Sequence, residues 1–314
     1  MFDSITLARE ALAIDVEHDD RHELRDVPFA RESIPYIVHL PDEGIALFTY
    51  TWVNKDHEAG AAIAIFGPGV GDEPIQVGIP DQPIPPGMKF DNWQLQGLAI
   101  QQDNRFSHAQ IQFENEDVRL EMEFAASHPP YAYGSNPKGC PPFMADNRIE
   151  QGGRMWGLLH IHGRDIPFDT TGHRDHSWGV RDWNSVLHYN WFQGQAGPDT
   201  CVHFWHMHAL GWTRNWGYVF KDGLLAEVVD VDVETDFDEN FLQKQSKAKL
   251  TDEAGRITEI ESDFYAWYTL VPDPGVALNE GAARTTIDGK DGLGWMEVTW
   301  PMGYLEHIRA NGPY

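Results

Sequence analysis

The sequence predicts an all-β protein made of antiparallel sheets in barrels or sandwiches. Short segments that are rich in β-branched and aromatic residues, or that alternate apolar with polar residues, recur along the chain. Turn signals such as Lys221-Asp222-Gly223 and Glu253-Ala254-Gly255 separate them. Helical periodicity nearly disappears after residue 13. Strands at this spacing, joined by tight turns, are typical of antiparallel barrels and sandwiches.

The elements follow in order along the chain. A short helix is predicted over residues 4–13, where Ile5, Leu7, Ala8 and Leu12 fall roughly on one face. The first strand-rich half contains segments at residues 36–40, 45–53, 61–66, 95–101, 109–114 and 118–125. The second contains segments at residues 155–162, 186–193, 200–210, 216–221, 224–233, 247–251, 257–270, 293–299 and 303–307.

The stretch from Ser127 to Phe143 interrupts this pattern with prolines, glycines and tyrosines. A proline has no backbone N–H to donate to a sheet, so the stretch is predicted to be a linker and not a central strand. The predicted organisation is an N-terminal β domain over residues 1–126, a linker over 127–150, and a C-terminal β domain over 151–314.

The negative charge of the chain narrows the range of partners. The formal net charge is −26 at pH 7, which opposes binding to nucleic-acid backbones and to anionic membrane surfaces. A neutral, lipophilic small molecule is therefore the expected ligand, and a homodimer is left open.

Cysteine usage and hydropathy indicate the compartment. Cys140 and Cys201 have no metal-like spacing and form no disulfide framework, which suits a reducing cytoplasm. The sequence contains neither a basic region followed by an apolar core at its start nor a run of about 18 apolar residues. A cytoplasmic protein without a signal peptide or membrane span is expected.

Residues 172–183 concentrate more chemistry than any other stretch. The segment reads Gly-His-Arg-Asp-His-Ser-Trp-Gly-Val-Arg-Asp-Trp. Cores seldom accept this many charges, and surface loops seldom carry paired tryptophans. The combination predicts a partly buried polar network that binds a ligand and moves protons. The alternative is a purely structural network of charged residues that links the end of a strand to its neighbour.

Asp175 is the predicted general acid or base of this segment. Pairing with an arginine would keep its carboxyl group ionised, whereas burial against Trp178 without such pairing would keep it protonated. The neighbouring histidines are candidate proton shuttles, because imidazoles titrate near neutral pH. The expected catalytic residues are Asp175, His176, His173, Arg174 and Arg181.

Histidine pairs offer a different chemistry. His206 and His208 share one face of a predicted strand, and His160 and His162 repeat their spacing. Two such strands could clamp zinc or iron, with Asp175 or Glu297 as a further ligand. Histidines that hydrogen-bond around a pocket are the more frequent outcome, so no metal and no other cofactor is predicted.

Aromatic residues are dense between Tyr189 and Tyr218. Most aromatic residues in strands belong to the core, but a subset that faces one cavity would surround a long apolar ligand or a developing carbocation. The expected substrate-binding residues are Trp178, Trp183, Tyr189, Trp191, Trp205, His206 and His208. Phosphate-loop, nucleophile-elbow and dinucleotide-binding motifs are missing from the sequence.

The string Arg174-Asp175-His176-Ser177-Trp178-Gly179, in a chain with two strand-rich halves, resembles the two-domain lipocalin-like superfamily of carotenoid 1,2-hydratase (hydroxyneurosporene synthase) and the AttH-like proteins. This superfamily includes some fungal hydratases and Diels–Alderases. The resemblance implies two lipocalin-like antiparallel β-barrel domains with a hydrophobic substrate tunnel in or between them. It also implies cofactor-free chemistry that protonates and hydrates an isoprenoid double bond or folds a polyene for cyclisation. The aspartate of the family motif falls on Asp175.

Three functions follow from these observations, in order of preference. The first is a cofactor-free hydratase, dehydratase, isomerase or cyclase that acts on a neutral terpenoid-like or prenylated substrate, with Asp175 transferring the proton. The second is a non-catalytic carrier of lipids or terpenoids that uses the same cavity. The third is a metal-dependent enzyme that uses the His-x-His strands.

Overall fold

The computed structural model describes Phe2 and residues 4–312. The chain divides into two compact units. The first comprises Met1–Leu40, Ala46–Ile65 and Ile75–Arg181, and the second comprises Pro41–Ile45, Phe66–Pro74 and Asp182–Tyr314. Strands dominate both units, so the predicted all-β fold class is confirmed.

After a two-residue strand β1 (Thr6–Leu7), the first unit is built on a sheet of 11 strands. Its neighbours run in the order β5-β4-β3-β2-β12-β11-β9-β8-β7-β6, and β10 pairs with β11. The strands are β2 (Ala30–Leu40), β3 (Ile45–Asn54), β4 (Glu58–Phe66), β5 (Ile75–Pro83), β6 (Trp93–Leu95), β7 (Leu98–Gln102), β8 (His108–Glu114), β9 (Val118–Ala126), β10 (Tyr131–Ala132), β11 (Asn147–Ile161) and β12 (Arg164–Val180).

The long hairpin of β11 and β12 organises this sheet. His162 and Gly163 form its turn with φ values of 51° and 71°, the left-handed geometry of a two-residue hairpin loop. The turn pairs Ile161 with Arg164 and sets the antiparallel register of the whole hairpin. Further along β12, residues 172–180 also pair with β2, so both edges of this segment are hydrogen-bonded.

The second unit contains a closed ring of strands. Their order is β16-β15-β14-β13-β20-β19-β18-β17, and β16 also pairs with β17. Side chains such as Phe192, Phe204, Leu250 and Val298 form its apolar core. The strands are β13 (His188–Gln195), β14 (Cys201–Ala209), β15 (Trp212–Lys221), β16 (Leu224–Phe237), β17 (Gln243–Asp252), β18 (Ile257–Asp273), β19 (Val276–Ile287) and β20 (Lys290–Pro301).

Helices are few. The α-helix α1 spans Met302–Asn311, and 3-10 turns cover Glu10–Leu12, Val16–Asp19, Phe90–Asn92, Tyr133–Ser135 and Trp183–Ser185. Within the described part of the chain, no helix has the length and apolar character needed to cross a bilayer. Both cysteines are free thiols.

Both chain ends differ from their predicted secondary structure. The segment 4–13 forms β1 and the turn Glu10–Leu12 instead of a helix. Only Leu12 of its apolar residues is buried, so an isolated helix would lack the packing that stabilises short helices. The segment 303–307, predicted as a strand, lies in α1, which begins after Pro301, a residue whose fixed φ suits a helix start.

The division between the units falls later in the chain than the predicted linker. β11 pairs with β9, and β12 pairs with β2, so both strands belong to the first unit. The stretch 127–150 also lies in that unit, where Tyr131 and Tyr133 are fully buried. The stretch contains the two-residue β10 and the start of β11, and its buried rings make it part of the core. The chain passes to the second unit between Arg181 and Asp182.

Candidate active site

The charged motif lies on β12, in a segment where every residue from 172 to 179 is buried. Because successive side chains of a strand point to opposite faces, the motif divides into two sets. His173, Asp175 and Ser177 share what we call the Asp175 face. Arg174, His176 and Trp178 share the other, the Arg174 face.

Arg148 joins two carboxylates on the Asp175 face. Glu150 of β11 lies opposite Asp175 in the strand register. Arg148 donates from Nε to Glu150 Oε1 at 2.6 Å and from Nη2 to Asp175 Oδ2 at 2.5 Å. On the far side of Glu150, its Oε2 lies 2.8 Å from His173 Nε2, and its Oε1 accepts from the Tyr133 hydroxyl at 3.2 Å. A continuous path of hydrogen bonds therefore runs from His173 to Asp175.

Burial determines the protonation states along this path. It lowers the pKa of His173 despite the opposing effect of Glu150, so this imidazole is neutral near pH 7. Burial, reinforced by Glu150, also raises the pKa of Tyr133 well above its ordinary value. The Arg148 guanidinium contacts both carboxylates, and the charge of Arg181 also acts on Asp175.

Solvent exposure distinguishes the two ends of the path. The side chains of Glu150 and His173 are 0% and 1% exposed, whereas those of Arg148 and Asp175 retain 10% and 7%. Asp175 is therefore the less enclosed of the two carboxylates, and Glu150 with His173 forms the interior end. Arg181 donates to Ser177 Oγ at 2.6 Å beside this accessible end.

The Arg174 face holds a separate buried ion pair. Arg174 donates to Asp19 Oδ1 at 2.7 Å, to Gln102 Oε1 at 3.0 Å and to Gln151 Oε1 at 3.1 Å. Although burial opposes its charge, Asp19 and Tyr36 raise the pKa of Arg174. Arg174 was expected among the catalytic residues, but its side chain lies on the opposite face of β12 from Asp175. The arginine that contacts Asp175 is Arg148.

A histidine–carboxylate cluster occupies the same face. Glu32 Oε1 lies 2.7 Å from His22 Nδ1 and 2.6 Å from His176 Nε2. Burial opposes ionisation of Glu32, yet hydrogen bonds from His176 and His22 lower its pKa. The His22 ring stacks on Trp178 with centroids 3.7 Å apart and borders a polar cavity of about 300 Å³.

This cluster has donor types that could hold a metal ion. The ligand atoms of His22, Glu32 and His176 lie within 4.8 Å of one another. Their hydrogen bonds satisfy the buried carboxylate without an ion, because each imidazole donates to it. The cluster therefore explains why His176 and Trp178 are buried on the face opposite Asp175.

The residues expected to bind substrate lie on several surfaces. His176 and Trp178 face away from Asp175, as described. Trp183 begins the turn Trp183–Ser185 in the second unit. By strand alternation, Tyr189, Trp191 and Trp205 share one face of the β13–β14 pair, and His206 and His208 share the other. The second-unit residues expected to line one cavity thus lie on two faces, with Tyr189 and the tryptophans on one and the histidines on the other.

The two His-x-His pairs belong to different units. His160 lies in β11 of the first unit, where its Nδ1 is 2.6 Å from Asp165. His206 and His208 lie in β14 of the second unit, and His188 of β13 pairs with His208. Among the described residues, the group of ligand atoms within 4.8 Å of one another includes none of these histidines.

Several partners of the motif were not foreseen from the sequence, notably Arg148, Glu150 and Glu32. Arg148-Ile149-Glu150 alternates charged and apolar residues, which is the period of a strand with one polar face. That signal was available, but the proline-rich context assigned the residues to a linker. Glu32 gave no comparable signal, because its partners His22 and His176 come from distant parts of the chain.

Comparisons with solved structures define the fold class. The chain is similar to a protein assigned as AttH from Nitrosomonas europaea, with a TM-score of 0.63, 15% identity, and 94% of this chain and 98% of that chain covered. Kievitone hydratase from Nectria haematococca gives a TM-score of 0.60 at 11% identity and 94% coverage of both chains. CghA gives 0.62 at 11% identity, with 87% and 88% covered. The protein therefore has the AttH-like, lipocalin-like fold that its motif implied.

Sequence comparison assigns the chain within this class. Residues 15–302 match the family described as a domain of unknown function, DUF7064, and the protein belongs to that family. No curated protein sequence matches significantly.

Proposed function

We propose that the protein is an acid–base hydro-lyase or intramolecular cyclase that acts on a neutral, lipophilic, terpenoid-like or prenylated substrate. The observation that carries this proposal is the hydrogen-bonded path from His173 through Glu150 and Arg148 to Asp175. It holds Asp175, the less enclosed of the two carboxyl groups, in a fixed position, which is what general acid–base catalysis needs.

In the hydration direction, the Asp175 carboxylate that pairs with Arg148 first takes up a proton, and in this acid form it gives the proton to one carbon of a substrate double bond. Water then adds to the other carbon, and the proton that this water loses returns to the carboxylate. The positive charge that develops on the substrate is stabilised by the negative charge left on Asp175. Arg148 bridges the two carboxylates throughout and keeps the geometry of Asp175 fixed. Proton and water are the only reagents of this cycle, so the proposed chemistry requires no cofactor.

The net charge and the fold relatives support the substrate class. A chain with a net charge of −26 disfavours anionic ligands. One structural relative is named as a hydratase of kievitone, which shows that this fold accommodates hydratase activity. At 11% identity the likeness does not transfer a substrate, so the substrate class is proposed on charge and site chemistry.

The test compares Asp175→Asn with a matched control on the same strand. Asp169 lies on β12 and forms an exposed ion pair with Arg154 of β11, so Asp169→Asn makes the same chemical change outside the site. A panel of neutral prenylated phenols and terpenoids, with kievitone as one probe, is incubated in ¹⁸O-labelled water and analysed by mass spectrometry for added water or isomerisation.

The proposal expects turnover by the wild type, a loss of about 100-fold or more in Asp175→Asn, and an unchanged rate in Asp169→Asn. Asp175→Asn should remain folded, because Arg148 keeps its bond to Glu150. Equal rates in both variants would remove Asp175 from the mechanism. Tight binding of a probe that emerges chemically unchanged would identify a carrier instead of an enzyme.

A further inference from the structure

At one end of the second unit, the interior changes from apolar side chains to polar ones. Phe192 of β13 stacks on Phe204 of β14 with centroids 5.2 Å apart, inside the apolar core. Strand alternation places His206 and His208 of β14 on the same face as Phe204, and His188 of β13 on the same face as Phe192. Three imidazoles and Asn190 thus continue this face beyond its apolar part.

These imidazoles line a cavity of about 220 Å³. The other residues that line it are Asn190 of β13 and Val233, Thr235 and Phe237 of β16. The cavity combines a cluster of nitrogen donors with room for an ion and a small additional ligand, which is the arrangement of an open metal site.

Each of the three rings is oriented through its Nδ1 atom. His188 Nδ1 lies 2.6 Å from the Thr299 carbonyl oxygen, and His208 Nδ1 lies 2.8 Å from Thr213 Oγ1. His206 Nδ1 lies 2.7 Å from the side-chain amide of Asn215. Donation from Nδ1, as from His188 to the Thr299 carbonyl oxygen, is the usual means of orienting a metal-binding histidine. The Asn215 amide instead donates to His206 Nδ1 in the orientation that satisfies both of its polar atoms.

The Nε2 atoms of these rings are the nitrogens left for a ligand, because none has a hydrogen-bond partner among the described residues. The neutral imidazole, which has a free nitrogen lone pair, is the form that binds a metal ion.

The ring spacing is close to that of bound histidines. With metal–nitrogen bonds of about 2.0–2.1 Å in a tetrahedral site, ring centroids lie about 5 Å apart. The His206 and His208 centroids are separated by 4.9 Å, and those of His188 and His208 by 6.0 Å. The ligand atoms of the three rings do not all lie within 4.8 Å of one another, so the His188 ring has to move toward the other two on binding, which rotation about its side-chain bonds allows.

We propose that His188, His206 and His208 form a binding site for a divalent transition-metal ion such as Zn²⁺ at this end of the second unit. Three neutral imidazoles suit zinc, copper or nickel and disfavour calcium and magnesium, which prefer oxygen ligands. The fourth coordination position faces the cavity, beside Asn190 and Thr235. The site is independent of Asp175, which lies in the first unit.

The test is calorimetric titration of the full-length, chelator-treated protein with Zn²⁺, repeated with Co²⁺ and visible absorption to report the ligands. One ion per chain is expected. His206→Ala and His208→Ala should each weaken binding by more than about 10-fold and abolish the tetrahedral Co²⁺ spectrum. The matched control is His160→Ala/His162→Ala, which removes a pair with the same spacing in the first unit and should leave binding unchanged.

Circular dichroism verifies that each variant is folded, and His208→Gln replaces any alanine variant that is not. Failure of the wild type to bind Zn²⁺ would overturn the proposal, as would unchanged binding in the His206 and His208 variants. Loss of binding in His22→Ala alone would show that the metal binds at the Glu32 cluster, and this result would also overturn the proposal.

Discussion

The imidazole of His128 is fully buried and held in its neutral form by two hydrogen bonds. Its Nδ1 lies 2.7 Å from the Pro129 carbonyl oxygen, and its Nε2 accepts from the Gly152 amide at 3.1 Å. Because Nε2 is an acceptor, protonation would break the bond to Gly152. Burial, with a smaller contribution from His173, lowers the pKa of His128 to about 3.

This depressed pKa predicts acid destabilisation. The unfolded chain binds a proton at His128 near pH 6.5 and the folded chain near pH 3. Between these values the unfolded state holds more protons, so the free energy of unfolding falls as the pH falls, by about 1 kcal/mol per pH unit from this residue. Urea titrations between pH 7 and pH 5 should show a slope smaller by about that amount in His128→Leu.

The control is His162→Gln, at an exposed histidine in the β11–β12 turn. Its slope should equal that of the wild type. An identical slope in His128→Leu and the wild type would mean that His128 does not contribute to the pH dependence. Buried His39, whose pKa burial also lowers to about 3, would then account for the remaining slope.

At the scale of the element, β12 depends on two glycines for different reasons. Gly179 adopts φ +117°, and a Cβ there would lie 2.3 Å from the Asp146 amide nitrogen. Gly172 has no left-handed conformation, but a Cβ would meet Met155 and the Ile37 carbonyl oxygen within 2.5 Å. The glycines thus allow the neighbouring strands and the backbone at Asp146 to approach the charged motif closely.

Gly179→Ala is therefore expected to lower the free energy of unfolding by about 3 kcal/mol, since backbone strain and a steric clash act together. Chemical denaturation measures this change. Gly78→Ala on β5 is the control, because its Cβ would meet nothing within 4 Å and its φ is unstrained; it should change stability by less than about 1 kcal/mol. Equal effects at both sites would show that Asp146 moves aside freely.

At the scale of the whole molecule, charge repulsion opposes folding. The chain has 49 acidic and 23 basic residues, so compaction brings many like charges together. Salt shortens the distance over which these charges interact, from about 30 Å at 0.01 M to about 10 Å at 0.1 M.

Adding sodium chloride from about 0.01 M to about 0.5 M should accordingly raise the free energy of unfolding by about 1 kcal/mol or more. Urea titration at each salt concentration gives the value, and sucrose at the same osmolality separates screening from general solute exclusion. A decrease with salt would mean that attractive ion pairs such as Arg154–Asp169 outweigh the repulsion.

The sequence predicts the individual strands and turns better than it predicts which strands pair with one another. Two-residue turns such as Asp222-Gly223, with φ values of 55° and 71°, are local signals, and the structure confirms them. The assignment of β11 and β12 to the first unit depends on pairing with β9 and β2. That pairing joins residues far apart in the chain, and no local pattern encodes it.

The sequence by itself determined the all-β fold class, its AttH-like relatives and the concentration of charge in segment 172–183, because strand periodicity, turn residues and dense charge are local properties. Only the tertiary structure decided which side chains act together. Alternation along β12 separates Asp175 from Arg174, His176 and Trp178, and the β11 register brings Arg148 and Glu150 to Asp175. Both depend on the face that each residue presents and on strands that meet only when the chain is folded.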